Sequence, residues 1–449
     1  MPEIKRIPPK PAAAAKRVSL VTLGCEKNTV DSEVLMGGLR HNGIRLVNDP
    51  SRSDIIILNT CGFIESAKRE SINSILEAVE MKKSGSVQEV YVAGCLSERY
   101  RAELEAEITG VDGYFGTEDF ERILRTVVPE ADMKTGADLR YELLGERILT
   151  TAKYYAYIKI SEGCDNPCSF CAIPIMRGGH RSKSPEEIAF EAMMLAAQGV
   201  KEIILIAQDL TYYGLDLTGE RTLADLLRRL VKVNGIEWIR LMYAYPAKFP
   251  LDVLDVMASE EKIVPYLDIP VQHASTEVLR SMRRGITRRT TEELIETIRS
   301  RIPNIALRTT LITGYPTEGE KEFEELEEFV SEMKFDRLGV FTYSVEDGTT
   351  AEPLGDPVSE EEKRRRHARL MDIQREISHE KNLAKIGKKV RAIIEREEDG
   401  IYFGRTEADA PEVDNEIAIH SMRLLESGVI VDVTVTEVDE FDLVGDASA

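Results

Sequence analysis

Three cysteines close together in the middle of the chain are the residues best suited to chemistry. Cys164, Cys168 and Cys171 are spaced Cys-x3-Cys-x2-Cys, directly after a predicted strand. Thiolates select iron–sulfur chemistry, and three of them this close can each bind one iron of a four-iron cluster. Gly163 and Pro167 suit the compact loop that such ligands require. The spacing therefore predicts a four-iron cluster on this loop.

No fourth cysteine lies near these three, and this decides what the cluster could do. One iron would stay open to a non-protein ligand. The amine and carboxylate of S-adenosylmethionine can chelate that iron, and the cluster can then reduce the sulfonium. Structural zinc is the alternative, but it needs four protein ligands, and no nearby His or Cys completes the set. The loop therefore predicts radical S-adenosylmethionine chemistry.

The other three cysteines, Cys25, Cys61 and Cys95, are far apart in sequence but share one context. Each lies beside a glycine, just past the carboxyl end of a predicted parallel strand. Such strand ends meet at one edge of a sheet, so we expect the three thiols to converge on a second cluster. Three buried structural cysteines are the alternative, although these would more often lie inside strands. Disulfides do not suit a large chain without an export signal.

The elements that must position these cysteines alternate between strand and helix through most of the chain, which predicts an α/β fold with parallel sheets. Towards the C-terminus the pattern changes to alternating short strands, typical of a small antiparallel β-barrel. For the middle of the chain, six βα units indicate a partial (βα)6 barrel, with an open doubly wound sheet as the alternative. The predicted parts are a leader at 1–16, an N-terminal domain at 17–128, a linker at 129–150, a partial barrel at 151–355, a connecting charged, exposed helix at 356–386 and a C-terminal barrel at 387–449.

Polar residues follow several predicted strands of the partial barrel. Active sites of such barrels lie at the carboxyl ends of the strands. Gly314 is expected to let the backbone approach an adenosyl group closely. The predicted cofactor-binding residues are Gln208, Asp209, Gln272, His273 and Gly314.

The charge of the chain limits its partners. A formal net charge of −21, from 79 acidic and 58 basic residues, argues against broad binding to nucleic-acid phosphates. No apolar run approaches the roughly 20 residues of a membrane span, and the leader is too weakly apolar for a signal peptide. We therefore predict a cytoplasmic protein with no membrane contact and little affinity for RNA.

Several motifs together resemble the methylthiotransferase family of radical S-adenosylmethionine enzymes, from about residue 17 to the C-terminus. These motifs are LGCEKNTVDSE, NTCGFIESA, AGCLSERY and ISEGCDNPCSFCAIPIMRG, followed by the β-rich tail. The resemblance implies S-adenosylmethionine as both methyl donor and radical source, and a C-terminal TRAM domain that docks the substrate. It further implies a low-potential electron donor such as flavodoxin or ferredoxin. The implied [4Fe-4S] ligands are Cys25, Cys61 and Cys95 for an auxiliary cluster, and Cys164, Cys168 and Cys171 for the radical cluster.

Within this family the chain is most similar to one of two branches. SEGCDNPCSFCAIPIMRG, FTYSVEDGT and RTEADAPEVD are like the branch that methylthiolates the β-carbon of an aspartate in small-subunit ribosomal protein S-twelve. The other branch modifies an adenosine derivative in transfer RNA, and this is the alternative substrate. A non-enzymatic iron–sulfur carrier would explain the cysteines, but not a six-unit barrel with polar strand ends.

Charge also distinguishes the two substrates. Residues 388–449 contain six basic and sixteen acidic residues, a net formal charge of −10. Such a domain would repel RNA and attract a basic ribosomal protein, because complementary potentials speed encounter and orient the partner. We predict that Glu412 and Asp414 take part in this docking.

Overall fold

The computed structural model describes residues 16–131 and 147–448. The predicted leader, apart from Lys16, and most of the predicted linker lie outside the described residues. The chain forms two compact units. The first contains the described residues up to Thr150 together with Ala172–Gly178, and the second contains Thr151–Cys171 and the residues from Gly179 onward. None of the described helices is long and apolar enough to cross a bilayer.

The first unit contains a parallel sheet covered by helices on both faces, as predicted. Its strands run in the order β2-β1-β3-β4-β5. They are β1 (Arg17–Thr22), β2 (Arg45–Leu46), β3 (Ile55–Thr60), β4 (Glu89–Gly94) and β5 (Gly113–Tyr114). Its helices are α1 (Glu26–His41), α2 (Glu65–Lys83), α3 (Cys95–Glu107), α4 (Phe120–Val127) and α5 (Ile173–Arg177). The two-residue strand β2 is too short to give a sequence pattern and was not predicted.

The aliphatic run of β3 shows why this sheet is buried on both sides. Ile55 and Ile57 pack into a core cluster on one face, while Ile56 and Leu58 pack into a second cluster. Successive strand residues point to opposite faces, so a continuous aliphatic run needs apolar cover on both. Because β1 pairs with both β2 and β3, the strand order reverses beside it, and ligand crevices form at the carboxyl ends of strands at such a point.

The second unit begins with six parallel strands that follow one another in chain order across the sheet. The strands are β6 (Tyr155–Lys159), β9 (Glu202–Ile206), β10 (Trp238–Leu241), β11 (Ile263–Asp268), β12 (Ala306–Thr313) and β13 (Arg337–Thr342), with β7 (Ser161–Glu162) and β8 (Arg181–Ser182) forming a separate ribbon. A doubly wound sheet would reverse its strand order, and this one does not. The prediction of a partial barrel of six strands is confirmed.

Helices lie between these strands and after the last one. They are α6 (Pro185–Ala197), α7 (Leu215–Thr218), α8 (Leu223–Leu230), α9 (Asp252–Ser259), α10 (Thr276–Ser281), α11 (Arg288–Arg301), α12 (Glu320–Met333) and α13 (Glu360–Leu383). Ser184 caps the start of α6, since its side chain accepts a hydrogen bond from the backbone amide of Glu187.

The charged helix α13 is not simply exposed, which corrects the prediction. Lys363 is fully buried, and its Nζ donates to the carbonyl of Tyr343 (2.8 Å) and to Asp356 (2.5 Å). Arg366 is also buried and donates to Glu318 (2.6 Å). A charge run in sequence does not show that these two cations face inward, because the carbonyl of Tyr343 and the carboxylate of Glu318 come from other parts of the chain.

The C-terminal part is a closed barrel of five strands, β14 (Lys389–Glu398), β15 (Ile401–Thr406), β16 (Ile417–His420), β17 (Ile430–Val438) and β18 (Leu443–Ala447). Four of its neighbouring pairs are antiparallel, but β16 and β18 are parallel. The predicted small antiparallel β-barrel is therefore present, apart from this one parallel pair. With an odd number of strands, directions cannot alternate all the way around a closed barrel, so one pair must be parallel.

Residues 405–414, which we call the plug segment, join the C-terminal barrel to the partial barrel. All six strands of the partial barrel contact it through side chains in their amino-terminal and middle parts. The contacts are Tyr155 with Glu412 (2.9 Å), Glu202 with Arg405 (2.7 Å), Arg240 with the carbonyl of Glu407 (2.8 Å), Tyr266 with Asp414 (2.7 Å), Arg308 with Asp414 (3.3 Å) and Arg337 with Asp409 (2.9 Å).

Glu202 lies at the centre of this contact and is completely buried. Arg240 and Arg405 each approach its carboxylate to 2.7 Å, and Arg405 also binds Glu395 at 2.6 Å. Burial raises the pKa of Glu202, but the two guanidinium groups outweigh burial and hold the pKa below its usual value. Glu202 therefore stays ionised inside the protein.

We predict that Glu202→Gln lowers the free energy of unfolding by about 3–5 kcal/mol at neutral pH, because two buried arginines lose their counter-charge. The loss is measured by urea denaturation. Since the folded pKa is depressed, the contribution of Glu202 is present above its unfolded pKa and disappears as pH falls through the lower, folded value. The difference between variant and parent should therefore shrink in acid.

The matched control is Glu237→Gln, which removes a half-exposed ion pair with Lys201 (2.7 Å). This change should alter stability by about 0–1 kcal/mol, as exposed pairs do. Equal losses in the two variants would contradict the central role of Glu202.

Candidate metal centres and cofactor face

In the first unit, three cysteines meet at the carboxyl edge of the sheet. Cys25 follows β1, Cys61 directly follows β3, and Cys95 begins the helix after β4. These three strands are neighbours in the sheet. Burial, with smaller contributions from the nearby thiols of Cys95 and Cys25, raises the pKa of the Cys61 thiol to about 12. The three cysteines therefore lie at neighbouring strand ends, where the sequence predicts a shared cluster.

Two glycines allow the cysteine loops to approach this closely. A Cβ atom on Gly24, whose φ is +93°, would lie 2.6 Å from the Cβ of Cys61. A Cβ atom on Gly62 would lie 2.8 Å from the Cα of Leu96, next to Cys95. Any larger residue would push the loops apart, which explains the glycine beside each cysteine.

The buried side chain of Asn28 holds two of these loops in place through hydrogen bonds. Asn28, on α1, donates from its side chain to the carbonyl of Leu23 (2.7 Å) and to the carbonyl of Thr60 (3.2 Å). The side chain of Asn59 in turn donates to the carbonyl of Asn28 (3.0 Å). The positions of Cys25 and Cys61 are thus set by hydrogen bonds as well as by strand pairing.

Arg177 also belongs to this centre, although nothing in the sequence pattern singled it out. Its Nε donates to the Sγ of Cys95 at 3.3 Å, and its Nη1 binds Asp31 at 2.6 Å. Burial raises the pKa of Cys95, while the charge and hydrogen bond of Arg177 act against that rise. A cation therefore contacts a predicted ligand sulfur inside the first unit.

The three thiols suit an iron–sulfur cluster, because thiolates select iron–sulfur chemistry. No group of three His, Cys, Asp or Glu side chains in residues 16–131 and 147–448 is placed to hold a single metal ion. A four-iron cluster takes one cysteine per iron, so its ligands stand at separate corners rather than around one point. Thiols with raised pKa values also need the positive charge of a metal to become thiolates.

The second unit places the closely spaced cysteines on a loop after β7. Gly163, just before Cys164, adopts a left-handed conformation with φ +76°. The amide of Cys171 donates to the carbonyl of Cys168 (3.2 Å), which closes a turn between two of the predicted ligands. Ser169 anchors the loop through its hydroxyl, which donates to the carbonyl of Ser281 (2.9 Å). The compact loop predicted from the spacing is present.

Arg284 and Tyr245 surround Cys168. Arg284 donates from Nη1 to the Sγ of Cys168 at 3.2 Å, and its guanidinium stacks 4.1 Å from the ring centroid of Tyr245. The Tyr245 hydroxyl lies 3.7 Å from the same sulfur and donates to the carbonyl of Arg284 (2.8 Å). Arg284 was missed by the sequence analysis because it lies 116 residues from Cys168.

Asp209 supports the cysteine loop. Its carboxylate accepts from the side chain of Asn166 (2.8 Å), and that amide also lies 3.4 Å from the Sγ of Cys164. Burial raises the pKa of Cys164 to about 11, and the hydrogen bonds from Asn166 oppose the rise. Asp209 is thus placed to position a predicted cluster ligand, and its direct contact with the cofactor stays a prediction.

Four of the buried polar atoms that have no partner in the described part of the chain lie at strand exits of the partial barrel. They are the hydroxyls of Ser161, Thr313 and Tyr343 and the carbonyl oxygen of Gln208, all buried and without a hydrogen-bond partner in the described part of the chain. Buried polar groups almost always have a partner, so such a group of orphans indicates a polar ligand. The exits of four strands therefore fit a cofactor with several polar groups, as S-adenosylmethionine has.

The remaining predicted cofactor residues are held by protein contacts. His273 is fully buried, with its Nε2 at 2.9 Å from Glu318 and its Nδ1 accepting from the amide of Ser275 (3.0 Å). Gln272 has φ +74° and forms a backbone bridge to β12. A Cβ on Gly314 would overlap the side chain of Lys363, which accounts for this glycine without an adenosyl group. Direct cofactor contact by these three residues stays a prediction.

The two acidic residues predicted to dock the substrate lie in the plug segment. Asp414 has a 1% exposed side chain, held by Arg308 and by the hydroxyl of Tyr266. Glu412 accepts a hydrogen bond from the Tyr155 hydroxyl. The carboxylate of Asp414 is not accessible to a partner, which corrects its assignment to a docking surface. Residues of the partial barrel bury Asp414, and a count of charges along the sequence cannot reveal this contact.

Three family models match successive parts of the chain. Residues 17–116 match the uncharacterized protein family UPF0004, residues 158–330 match the Radical SAM superfamily, and residues 386–447 match the TRAM domain. Membership of the Radical SAM superfamily implies S-adenosylmethionine and a [4Fe-4S] cluster.

Among solved structures, the chain is similar to the radical S-adenosylmethionine methyltransferase TsrM from Kitasatospora setae, determined with cobalamin and a [4Fe-4S] cluster bound. The TM-score is 0.56 at 16% identity, covering 75% of this chain and 77% of that one. At this low sequence identity, the similarity shows only that the two proteins share a fold.

Curated relatives are much more similar in sequence. The ribosomal protein uS12 methylthiotransferase RimO of Flavobacterium psychrophilum is 52% identical over 431 residues, covering 96% of this chain and 98% of the relative. The protein of the same name from Aquifex aeolicus is 50% identical over 432 residues, covering 96% of each chain. The chain therefore belongs to the uS12 methylthiotransferase RimO family of radical S-adenosylmethionine enzymes.

Proposed function

We propose that this enzyme replaces one hydrogen on the β-carbon of an aspartate in ribosomal protein uS12 by a methylthio group. The observation that carries the proposal is the presence of two three-cysteine sites, one at the sheet edge of the first unit and one at the strand exits of the partial barrel. The relatives' names supply the substrate protein. Because a ribosomal protein is the substrate, we place the reaction in the cytoplasm.

The two sites would have different tasks. Cys164, Cys168 and Cys171 would bind the radical cluster, and Cys25, Cys61 and Cys95 would bind an auxiliary [4Fe-4S] cluster. When bound, the clusters and S-adenosylmethionine would supply the radical and the sulfur, with electrons from a low-potential donor such as flavodoxin or ferredoxin.

The protein would supply position and shielding. Cys61 and Cys95 are buried, and their loops are interlocked, so water has little access to the sulfurs that they would bind through. At the other site, Gln208 would contact S-adenosylmethionine with its unpartnered oxygen, while Asp209 would hold the loop through Asn166. The strand-exit hydroxyls would fix the cofactor relative to the loop.

Ribosomal protein is favoured over transfer RNA by the charge that remains on the C-terminal barrel. Asp432, Glu437 and Asp446 are exposed on β17 and β18, outside the plug segment. These carboxylates repel the phosphates of RNA, but their charge is complementary to that of a basic protein. We assign substrate docking to this β17–β18 surface in place of Asp414.

The iron content tests the two clusters. Anaerobically reconstituted full-length protein should hold about eight irons, as two four-iron clusters. The triple Cys→Ala variant at 164, 168 and 171 should retain about half of that iron, and so should the triple variant at 25, 61 and 95. Iron and sulfide analysis measures this. A variant at 25, 61 and 95 with full iron would show that these thiols do not bind a cluster.

The roles of the clusters separate in a turnover assay. Cys168→Ala should abolish formation of 5′-deoxyadenosine, because this reaction needs the radical cluster. Cys61→Ala should retain at least part of this cleavage but form no methylthio product, because only the auxiliary site is lost. Chromatography of 5′-deoxyadenosine and mass spectrometry of uS12 measure the two outcomes. Methylthiolated uS12 at normal yield from Cys61→Ala would refute the assignment.

Charge reversal tests the docking surface. The triple variant Asp432→Lys, Glu437→Lys, Asp446→Lys should weaken binding of uS12 by roughly tenfold at low salt, since exposed charge contacts contribute about 0.2–1 kcal/mol each. Binding is measured on the full-length enzyme at several salt concentrations, and cleavage of S-adenosylmethionine without substrate should be unchanged.

The matched control reverses three exposed acids on the outside of the partial barrel, Glu261, Glu296 and Glu324. It makes the same change in net charge and should leave uS12 binding nearly intact. Equal weakening by both variants would show that only overall charge matters. Tight, salt-sensitive binding of transfer RNA without binding of uS12 would instead support the alternative substrate.

A further inference from the structure

Arg177 is a buried cation in direct contact with a predicted cluster ligand. Its side chain is 3% exposed, and its Nε–H points to the Sγ of Cys95 at 3.3 Å. An arginine keeps its charge at every accessible pH, so this charge is permanent. Cys95 is itself buried, and charges act strongly on one another where water is excluded.

The position of the guanidinium is fixed by two residues of α1. Asp31, with a 6% exposed side chain, binds Nη1 at 2.6 Å, and the side-chain oxygen of Asn28 accepts from Nη2. These partners leave Nε directed at Cys95. The same Asn28 holds the loops that carry Cys25 and Cys61, so the cation is part of the framework of the centre.

We propose that Arg177 is a positioning residue that sets the reduction potential of the auxiliary cluster, with Asp31 as the counter-charge that moderates it. The proposal rests on the proposed function, because it requires a cluster on Cys25, Cys61 and Cys95. Hydrogen bonds to ligand sulfur and nearby charge are the main means by which a protein tunes such a potential. A donor and a positive charge both stabilise the more negative, reduced cluster.

A purely structural role makes a different prediction. Arg177 lies on α5, which packs in the first unit although it follows Cys171 in sequence. If the ion pair with Asp31 only fastened α5 to α1, loss of either partner would reduce stability in a similar way. It would not move the potential of the cluster in opposite directions.

The test uses full-length protein in which Cys164, Cys168 and Cys171 are replaced by Ala, so that only the auxiliary cluster is observed. Iron analysis must first show about four irons per chain in this parent. The midpoint potential is then measured by redox titration followed by electron paramagnetic resonance. A parent without iron would overturn both the second cluster and this proposal, whereas a failure confined to Arg177 would leave the iron content intact.

The direction in which the midpoint potential shifts distinguishes the proposed role of Arg177 from a purely structural one. Arg177→Gln should lower the potential, because a charge and a sulfur-directed donor are lost. Asp31→Asn should raise it, because the cation is no longer balanced. The double variant should lie between the two, and it leaves no unpaired buried charge that could prevent folding. Arg177→Lys should fall between the parent and Arg177→Gln, since it keeps the charge but loses the fixed Nε donor.

Arg125→Gln is the matched control in the same unit. Arg125 is half exposed and pairs with Glu121 at 2.8 Å on α4, so its loss should leave the potential unchanged. Potentials that are the same in the parent and in the Asp31→Asn and Arg177→Lys variants would overturn the proposal. Shifts of the same sign for Arg177→Gln and Asp31→Asn would overturn it as well.

Discussion

One buried carboxylate holds the second unit together. Glu202 sits between Arg240 of the partial barrel and Arg405 of the C-terminal barrel, and all six parallel strands contact the plug segment around it. Ionised groups in such a position are stable only when every one of them is paired. The plug segment occupies the amino-terminal side of the strands. Buried polar atoms without a partner among the described residues, such as the carbonyl oxygen of Gln208 and the hydroxyl of Thr313, lie at the carboxyl ends, where a parallel barrel performs chemistry.

Both predicted metal centres meet the same physical problem. Burial raises the pKa of Cys61, Cys95 and Cys164, and therefore works against the thiolates that an iron–sulfur cluster would require. At each site the protein places a guanidinium group against one predicted ligand sulfur, Arg177 in the first unit and Arg284 in the second. These cations, together with bound iron, would stabilise the thiolates that burial disfavours. The same sites would then shield the sulfurs from water and stabilise their thiolate form.

The acidic residues of the C-terminal barrel fall into two groups. Asp409 and Asp414 are buried against arginines of the partial barrel, so they hold two barrels in place and contribute little to the outside potential. Asp432, Glu437 and Asp446 remain exposed, and the proposed docking surface consists of these residues. A net charge counted from sequence adds the two groups together, which is why it assigned the buried Asp414 to a docking surface.

The sequence by itself determined what depends on near neighbours along the chain. The Cys-x3-Cys-x2-Cys loop, the cysteines after three of the N-terminal strands, the six strands of the partial barrel and the alternating C-terminal strands all follow from short-range spacing and periodicity. Only the tertiary structure decided the burial of Asp414 and Lys363, the parallel pair in the closed barrel and the contact of Arg177 with Cys95. Arg177 and Asp31 are 146 residues apart, and Tyr266 and Asp414 are 148 apart. No local pattern specifies such pairs, because burial and charge pairing depend on which surfaces meet after the chain has folded.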